Sequence, residues 1–211
     1  MNVMHLRREY ATGQLLESMV ETDPYKQFCK WLHEALLAEI IEPYAMTLAT
    51  ATLQGRPSSR IVLLRGIDPS GFSFFTNYFS RKGQELTANP QAAISFYWPE
   101  IERQIHIEGA VHPTIDAESD EYFKSRPRGS QIAAWASEQS EELPSREVLD
   151  QRVAELEKQF EGQEVPRPEH WGGFKLIPKR YEFWQGRPSR LHDRLLFTWE
   201  ADRWRLSRLS P

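Results

Sequence analysis

The feature that most constrains the fold is a run of short strand-like stretches joined by very short turns. From Ala45 the hydrophobic period is that of strands, and Gln54-Gly55 separates an expected strand at Ala45–Leu53 from one at Ser58–Ile67. Asp68-Pro69-Ser70-Gly71 then leads into a third at Gly71–Thr76. Connections this short leave room only for antiparallel neighbours. Further strands are expected at Ala92–Trp98, Gln104–His112, Gly173–Ile177, Arg180–Gln185, Leu195–Glu200 and Trp204–Leu209. Many short strands at regular spacing predict a mainly β protein, a barrel or a sandwich.

Helices lie between and around these strands. Asp23 caps, Pro24 starts, and Phe28, Leu32, Leu36 and Ile40 continue an amphipathic helix up to Pro43. Others are expected at Arg81–Ala88, at Asp116–Lys124 with Thr114 as cap, for a turn or two at Gln131–Ser137, and at Arg146–Phe160. Residues 1–22 have mixed charge and no sustained apolar period, which reads as a mobile arm. Residues 23–211 then form one domain, because no Gly-, Ser- and Pro-rich linker divides them.

Composition narrows the chemistry. A net charge of −4 opposes a general nucleic-acid surface. Cys29 is the sole cysteine, which excludes an intrachain disulfide and a thiolate zinc site. The six histidines show no HxxxH or HExxH spacing, so no metal is expected. GxGxxG, Walker and GxSxG patterns are also missing. No apolar run is long enough for a membrane span, and a cytoplasmic protein is expected.

Against that background, four basic clusters need local explanations. Arg60 and Arg65 flank IVLL; five apart on a strand, they project to opposite faces unless a bulge intervenes. Thr76 to Gly83 ends a strand, caps a helix with Ser80, and puts Arg81 and Lys82 where the helix dipole is already positive. A phosphate there satisfies hydroxyls, free N–H groups and both cations. Tyr122, Ser125, Arg126, Arg128 and Ser130 fit a phosphate beside a ring surface, although a plain exposed helix end is the better reading if they are taken alone. Tyr181–Arg194 presents Arg187, Arg190, His192, Asp193 and Arg194 after an aromatic strand, which suits either a solvated loop or an anion site.

Several segments resemble the pyridoxamine/pyridoxine 5'-phosphate oxidases: RIVLLR at Arg60–Arg65, FFTNYFSRKGQEL at Phe74–Leu86, ERQIHIEG at Glu102–Gly109, YFKSRPRGSQIAAWASEQS at Tyr122–Ser140, WGGF from Trp171, and WQGRPSRLHDR at Trp184–Arg194. RREY at Arg7–Tyr10 and the terminal RLSP extend the likeness nearly end to end. The resemblance implies an antiparallel FMN-binding split β-barrel with peripheral helices. It also implies a homodimer with FMN at sites built from both subunits.

Carried over by residue, the resemblance puts FMN against Arg60, Ile61, Val62, Leu63, Leu64, Arg65, Phe75, Thr76, Arg81, Lys82, Gln104, Gln139, Ser140, Trp184 and Arg194. It puts the substrate against Arg65, Tyr122, Arg126, Ser130, Arg190, Leu191 and His192, with Arg7, Arg8, Glu9 and Tyr10 in a segment that can cover it. Arg190 and His192 are the expected catalytic pair. Arg65 stands where a lysine is common, and Phe75 where a tyrosine is common. The implied reaction is oxidation of pyridoxine or pyridoxamine 5'-phosphate to pyridoxal 5'-phosphate, with O2 as acceptor, H2O2 as product, and NH3 released from the amine. The alternatives are another split-barrel FMN oxidoreductase or flavin reductase, which needs no second phosphate site, and a non-catalytic carrier of FMN or pyridoxal phosphate.

Overall fold

The computed structural model describes residues 1–5, 8–11 and 13–211. Helix α1 (Pro24–Leu37) begins where the Asp23 carboxylate accepts the Tyr25 N–H at 2.9 Å, with Pro24 fixing the first turn. It buries Phe28, Trp31 and Ala35. The helix stops short of Pro43 because Ala38 N–H folds back to Glu34 and Glu39 takes a left-handed φ of 53°. Ile40, which continues the helical period in sequence, packs on the core from that turn instead.

The strands are β1 (Ala45–Ala51), β2 (Pro57–Leu63), β3 (Gly66–Asp68), β4 (Gly71–Asn77), β5 (Gln91–Trp98), β6 (Arg103–Pro113), β7 (Trp171–Gln185), β8 (Asp193–Glu200) and β9 (Arg203–Leu209). They form one antiparallel sheet in the order β2-β1-β5-β6-β7-β4-β3, with β8 paired to β7 and β9 paired to β8. The first half of β7 pairs with β4 and its second half with β8, while β6 follows nearly its whole length. One long strand thus joins two sections of sheet, which curl round a core of Phe28, Phe72, Phe74, Phe96, Ile107, Phe183 and Phe197.

Two expected boundaries shift for local reasons. The stretch Ser58–Ile67 is not one strand, because the chain breaks ladder pairing at Leu64 and Arg65 and resumes as β3. Conversely, Pro178 suggests a break where β7 is continuous. It lies opposite Gly109, at the β-bulge following Glu108, where a missing N–H is tolerated. A Cβ on Gly109 would lie 2.0 Å from the Ile177 carbonyl oxygen, so only glycine permits this approach.

Helix α2 (Arg81–Ala88) follows β4, and α3 (Asp116–Ser125), α4 (Arg128–Ala136) and α5 (Arg146–Gln159) lie between β6 and β7. Helix α4 starts directly after Pro127, three residues before the expected Gln131, since proline fits just ahead of a first helical turn. Thr114 does not cap α3; its hydroxyl meets that of Ser119, and Ile115 holds the cap position. A second apolar cluster of Phe123, Ile132, Phe160, Val165 and Trp171 packs these helices on the start of β7. Leu15, within the stretch that reads as a mobile arm, is buried at 3% exposure and donates its N–H to Asp193 at 3.0 Å.

Phe28 is fully buried between Phe72 and Phe96, with centroids at 4.9 and 5.1 Å, whereas Leu36 on the same helix is 53% exposed. Phe28→Ala is expected to cost about 3–5 kcal/mol in chemical denaturation. Leu36→Ala should stay within about 0.5 kcal/mol.

Candidate functional site

The end of β4 and the start of α2 build the first part of the site. The Ser80 hydroxyl accepts the Gly83 N–H and donates to the Asn77 carbonyl, fixing the strand-to-helix corner. Lys82 points inward, where its ammonium donates to Thr76 Oγ1 (3.1 Å), Ser80 Oγ (3.1 Å) and Gln139 Oε1 (2.9 Å). All three acceptors are neutral. Burial, reinforced by the Arg60 charge, lowers this ammonium to about 8.

Arg60 and Arg81 are treated differently, because both meet Glu85. Arg81 Nε pairs with Glu85 Oε1 at 2.9 Å, and Arg60 Nη2 lies 3.6 Å from Oε2. Burial alone would raise the Glu85 carboxyl, but hydrogen bonds from Ser58, Thr50 and Arg81 hold it down at about 2. The carboxylate that balances two of the three cations was missed in the sequence, although its place four residues after Arg81 was a usable signal.

Lys82 lines a cavity of about 850 Å³ together with Ile61, Val62, Leu63, Arg65, Phe75, Thr76, Tyr122, Arg126, Ser130, Gln139 and Trp171. One wall is aromatic. Phe75 stacks on Tyr122 with centroids 4.1 Å apart and on Trp171 at 5.6 Å. The Arg126 guanidinium lies 4.6 Å over the Trp171 ring, and its Nη1 is buried without a hydrogen-bond partner among the described residues. Burial also lowers the Arg126 guanidinium. A buried, unpartnered N–H on a cation is costly, so this cavity favours an anion at that atom. Arg65 sits in the break between β2 and β3, exposed, so strict strand alternation does not govern its direction.

Other expected residues lie elsewhere. Leu64 is 7% exposed and belongs to the core, which leaves its side chain outside the cavity. Ser140, with a left-handed φ of 78°, faces a smaller recess near Leu149 and Arg152. Gln104, Trp184 and Arg194 face one another across β6, β7 and β8. None of them lines the large cavity. Along β7, Trp171 and Trp184 are thirteen positions apart, roughly 40 Å of contour at about 3.3 Å per residue.

Around Trp184 a second constellation forms. His192 lies 4.6 Å from the Trp184 ring, and Tyr10 meets both rings edge-on at 5.5–5.7 Å. The Arg187 N–H donates to His192 Nδ1 at 3.1 Å, so the neutral ring carries its proton on Nε2. Burial lowers the His192 pKa, and the Arg190 charge lowers it further. Ser189 and Arg190 both adopt positive φ, at 55° and 62°, a strained backbone that holds Arg190 and Leu191 out from the sheet. Arg194 is oriented by buried Glu182, its Nε donating to Oε1 at 2.8 Å. Arg8 and Glu9 are exposed, and Arg7 lies outside the described residues.

Known proteins share this architecture. Residues 32–160 match the pyridoxamine 5'-phosphate oxidase family, and residues 171–211 match the pyridoxine 5'-phosphate oxidase C-terminal dimerisation region. The pyridoxine/pyridoxamine 5'-phosphate oxidase of Rubrobacter xylanophilus is 56% identical over 98% of this chain and 95% of its own. That of Trichormus variabilis is 54% identical over 99% and 98%. The crystal structure of PhzG from Burkholderia lata, in complex with tetrahydrophenazine-1-carboxylic acid, superposes with a TM-score of 0.89 at 36% identity, covering 95% of this chain and all of that one. An FMN-binding, pyridoxamine 5'-phosphate oxidase-related protein from Nostoc punctiforme shares the fold, with a TM-score of 0.69 at 15% identity over 89% of this chain and 97% of its own.

Two titrations test these electrostatics. Binding of sulfate, whose charge is constant over this range, to the ligand-free protein should hold steady at lower pH and weaken as pH rises through about 8, where Lys82 loses its charge. Lys82→Met should weaken binding and abolish that step. The His192 ring, followed by NMR, should titrate below the usual imidazole range and move upward in Arg190→Ala.

Proposed function

The chain belongs to the pyridoxamine 5'-phosphate oxidase family, and from that membership we propose that it oxidises pyridoxine or pyridoxamine 5'-phosphate to pyridoxal 5'-phosphate with FMN and O2. Hydrogen peroxide is released, with ammonia from the amine. The observation that best supports this reading is that buried Lys82 and half-buried Arg126, neither with a carboxylate partner among the described residues, line one cavity beside an aromatic stack. Two phosphorylated ring compounds would satisfy both. A flavin reductase has no use for the Arg126 seat, and the full-length relatives bear the oxidase name rather than that of a carrier.

The residues present fit FMN. Lys82 and Arg60, with the Thr76 hydroxyl, would hold its phosphate; Ile61 to Leu63, Gln139 and Phe75 line the space beside it. Bound there, FMN would supply the acceptor for a hydride equivalent from the 4' carbon and pass the electrons to oxygen. Arg65, Tyr122, Arg126 and Ser130 would take the substrate phosphate.

Gln104, Trp184, Arg190, His192 and Arg194 would close the ring end of the site. They sit at the other end of β7 from the Trp171 wall, so a second copy of the chain is the natural source of that end. The C-terminal dimerisation region agrees with a homodimer. Arg194, oriented by Glu182, would stabilise negative charge on the reduced ring. Arg190 would hold the substrate in place. His192 would meet it as an Nε2–H donor, since Nδ1 is occupied by the Arg187 N–H; it orients a polar substituent rather than accepting its proton.

The test is anaerobic mixing of the yellow holoenzyme with each phosphorylated vitamer. Flavin bleaching, reversed by air with formation of peroxide, is the expected result; no bleaching with either compound removes the reading. Arg190→Ala should lower turnover at least 100-fold, on the order of one lost charged contact at the reacting centre, with FMN content preserved. Equal loss of both would remove Arg190 from the substrate side.

A further inference from the structure

Glu102 is unusual in two independent ways. It occupies the turn between β5 and β6 with a left-handed φ of 56°, a conformation suited to glycine or asparagine. It is also a carboxylate residue only 2% exposed. Neither property serves the turn itself, since glycine would avoid both the strain and the buried charge.

The contacts of Glu102 point to a different use. Its backbone carbonyl accepts the Gly186 N–H at 2.8 Å and Gln185 Nε2 at 3.2 Å, which ties the turn to the end of β7. Its carboxylate accepts the Ala11 N–H at 2.9 Å on Oε2, and Arg8 Nη2 lies 3.5 Å from Oε1. Tyr10 lies between those two anchor points. Its ring packs over Gly186, where a Cβ would come within 2.8 Å of the Tyr10 ring, and it meets Trp184 and His192. Downstream, Arg187 Nη1 donates to the Gly13 carbonyl at 2.7 Å, and Asp193 accepts the Leu15 N–H.

We propose that Glu102 is a positioning residue for the substrate side of the site: one side chain clamps the segment bearing Tyr10 onto the loop bearing His192, forming a wall over the bound vitamer. This rests on the oxidase reading given above. With the clamp in place the wall is ordered before the substrate arrives. Without it, ordering several residues is charged against binding, so KM rises while the reacting groups stay unchanged.

Glu102→Gly separates this role from a merely structural one. Glycine accepts the left-handed φ and retains the backbone carbonyl, so Tm should stay level or rise. KM for the phosphorylated vitamer should increase on the order of tenfold, the scale of one lost charge-assisted hydrogen bond, with kcat within about twofold and FMN content intact. Trypsin should cut after Arg8 faster in the variant than in the parent. In a Tyr10→Ala background the same change should leave KM where Tyr10→Ala alone puts it. Unchanged KM together with unchanged cleavage, or effects that add fully to those of Tyr10→Ala, would overturn the proposal. If Glu102→Gly does not fold, Glu102→Gln should show intermediate shifts in both readouts, and parental behaviour in both would equally overturn it. Cleavage requires no turnover, so a protein inactive on both vitamers would defeat the oxidase reading while the clamp was still decided.

Discussion

The pairing of β6 with β7 is the constraint on which the rest depends. Fifteen residues of β7 are held by one partner along almost their whole length, and the other edge is divided between β4 and β8. That division delivers two chemistries to opposite ends of a single strand. The cavity lined by Lys82 and Arg126 stands by Trp171, and the Trp184–His192 constellation stands at the other end. At the bulge between Glu108 and Gly109 the register shifts by one residue of β7, and pairing with β6 continues on both sides of it.

Charge compensation then distinguishes the cations of the cavity from one another. Arg60 and Arg81 share Glu85, which makes them a scaffold as much as a ligand set. Lys82 and Arg126 have no such partner among the described residues. Both are penalised by burial, and an anion relieves that penalty. The adjacent stack of Phe75, Tyr122 and Trp171 supplies a flat apolar surface, so the cavity is suited to a phosphate attached to a ring.

At the far end, the loop rather than the strand sets the geometry. Consecutive positive φ values at Ser189 and Arg190 and the bond from Arg187 N–H to His192 fix a strained turn. That turn is packed against the N-terminal segment through Tyr10, Gly13 and Leu15. Arg187 and Asp193 reach toward that segment rather than toward the cavity.

Much of this was legible in the sequence because it is local. Period-two patterning and short turns fix antiparallel strands, Asp23-Pro24 fixes a helix start, and α2 falls at Arg81–Ala88 as its Ser80 cap indicates. The basic clusters were visible as residue types at strand ends, and the family motifs gave each a role. What the sequence does not contain is distance across the fold. Glu85 balancing Arg60, Glu102 reaching Ala11, and Asp193 holding Leu15 join residues 25 to 178 positions apart. Pro178 likewise looks like a strand break until Gly109 is placed opposite it. The sequence by itself determined most of the elements, though not the break between β2 and β3 or the continuity of β7, together with the aromatic and cationic inventory and the family. Tertiary structure decided which cations stay uncompensated and that the N-terminal segment packs on the His192 loop, because desolvation and pairing are properties of neighbours in space.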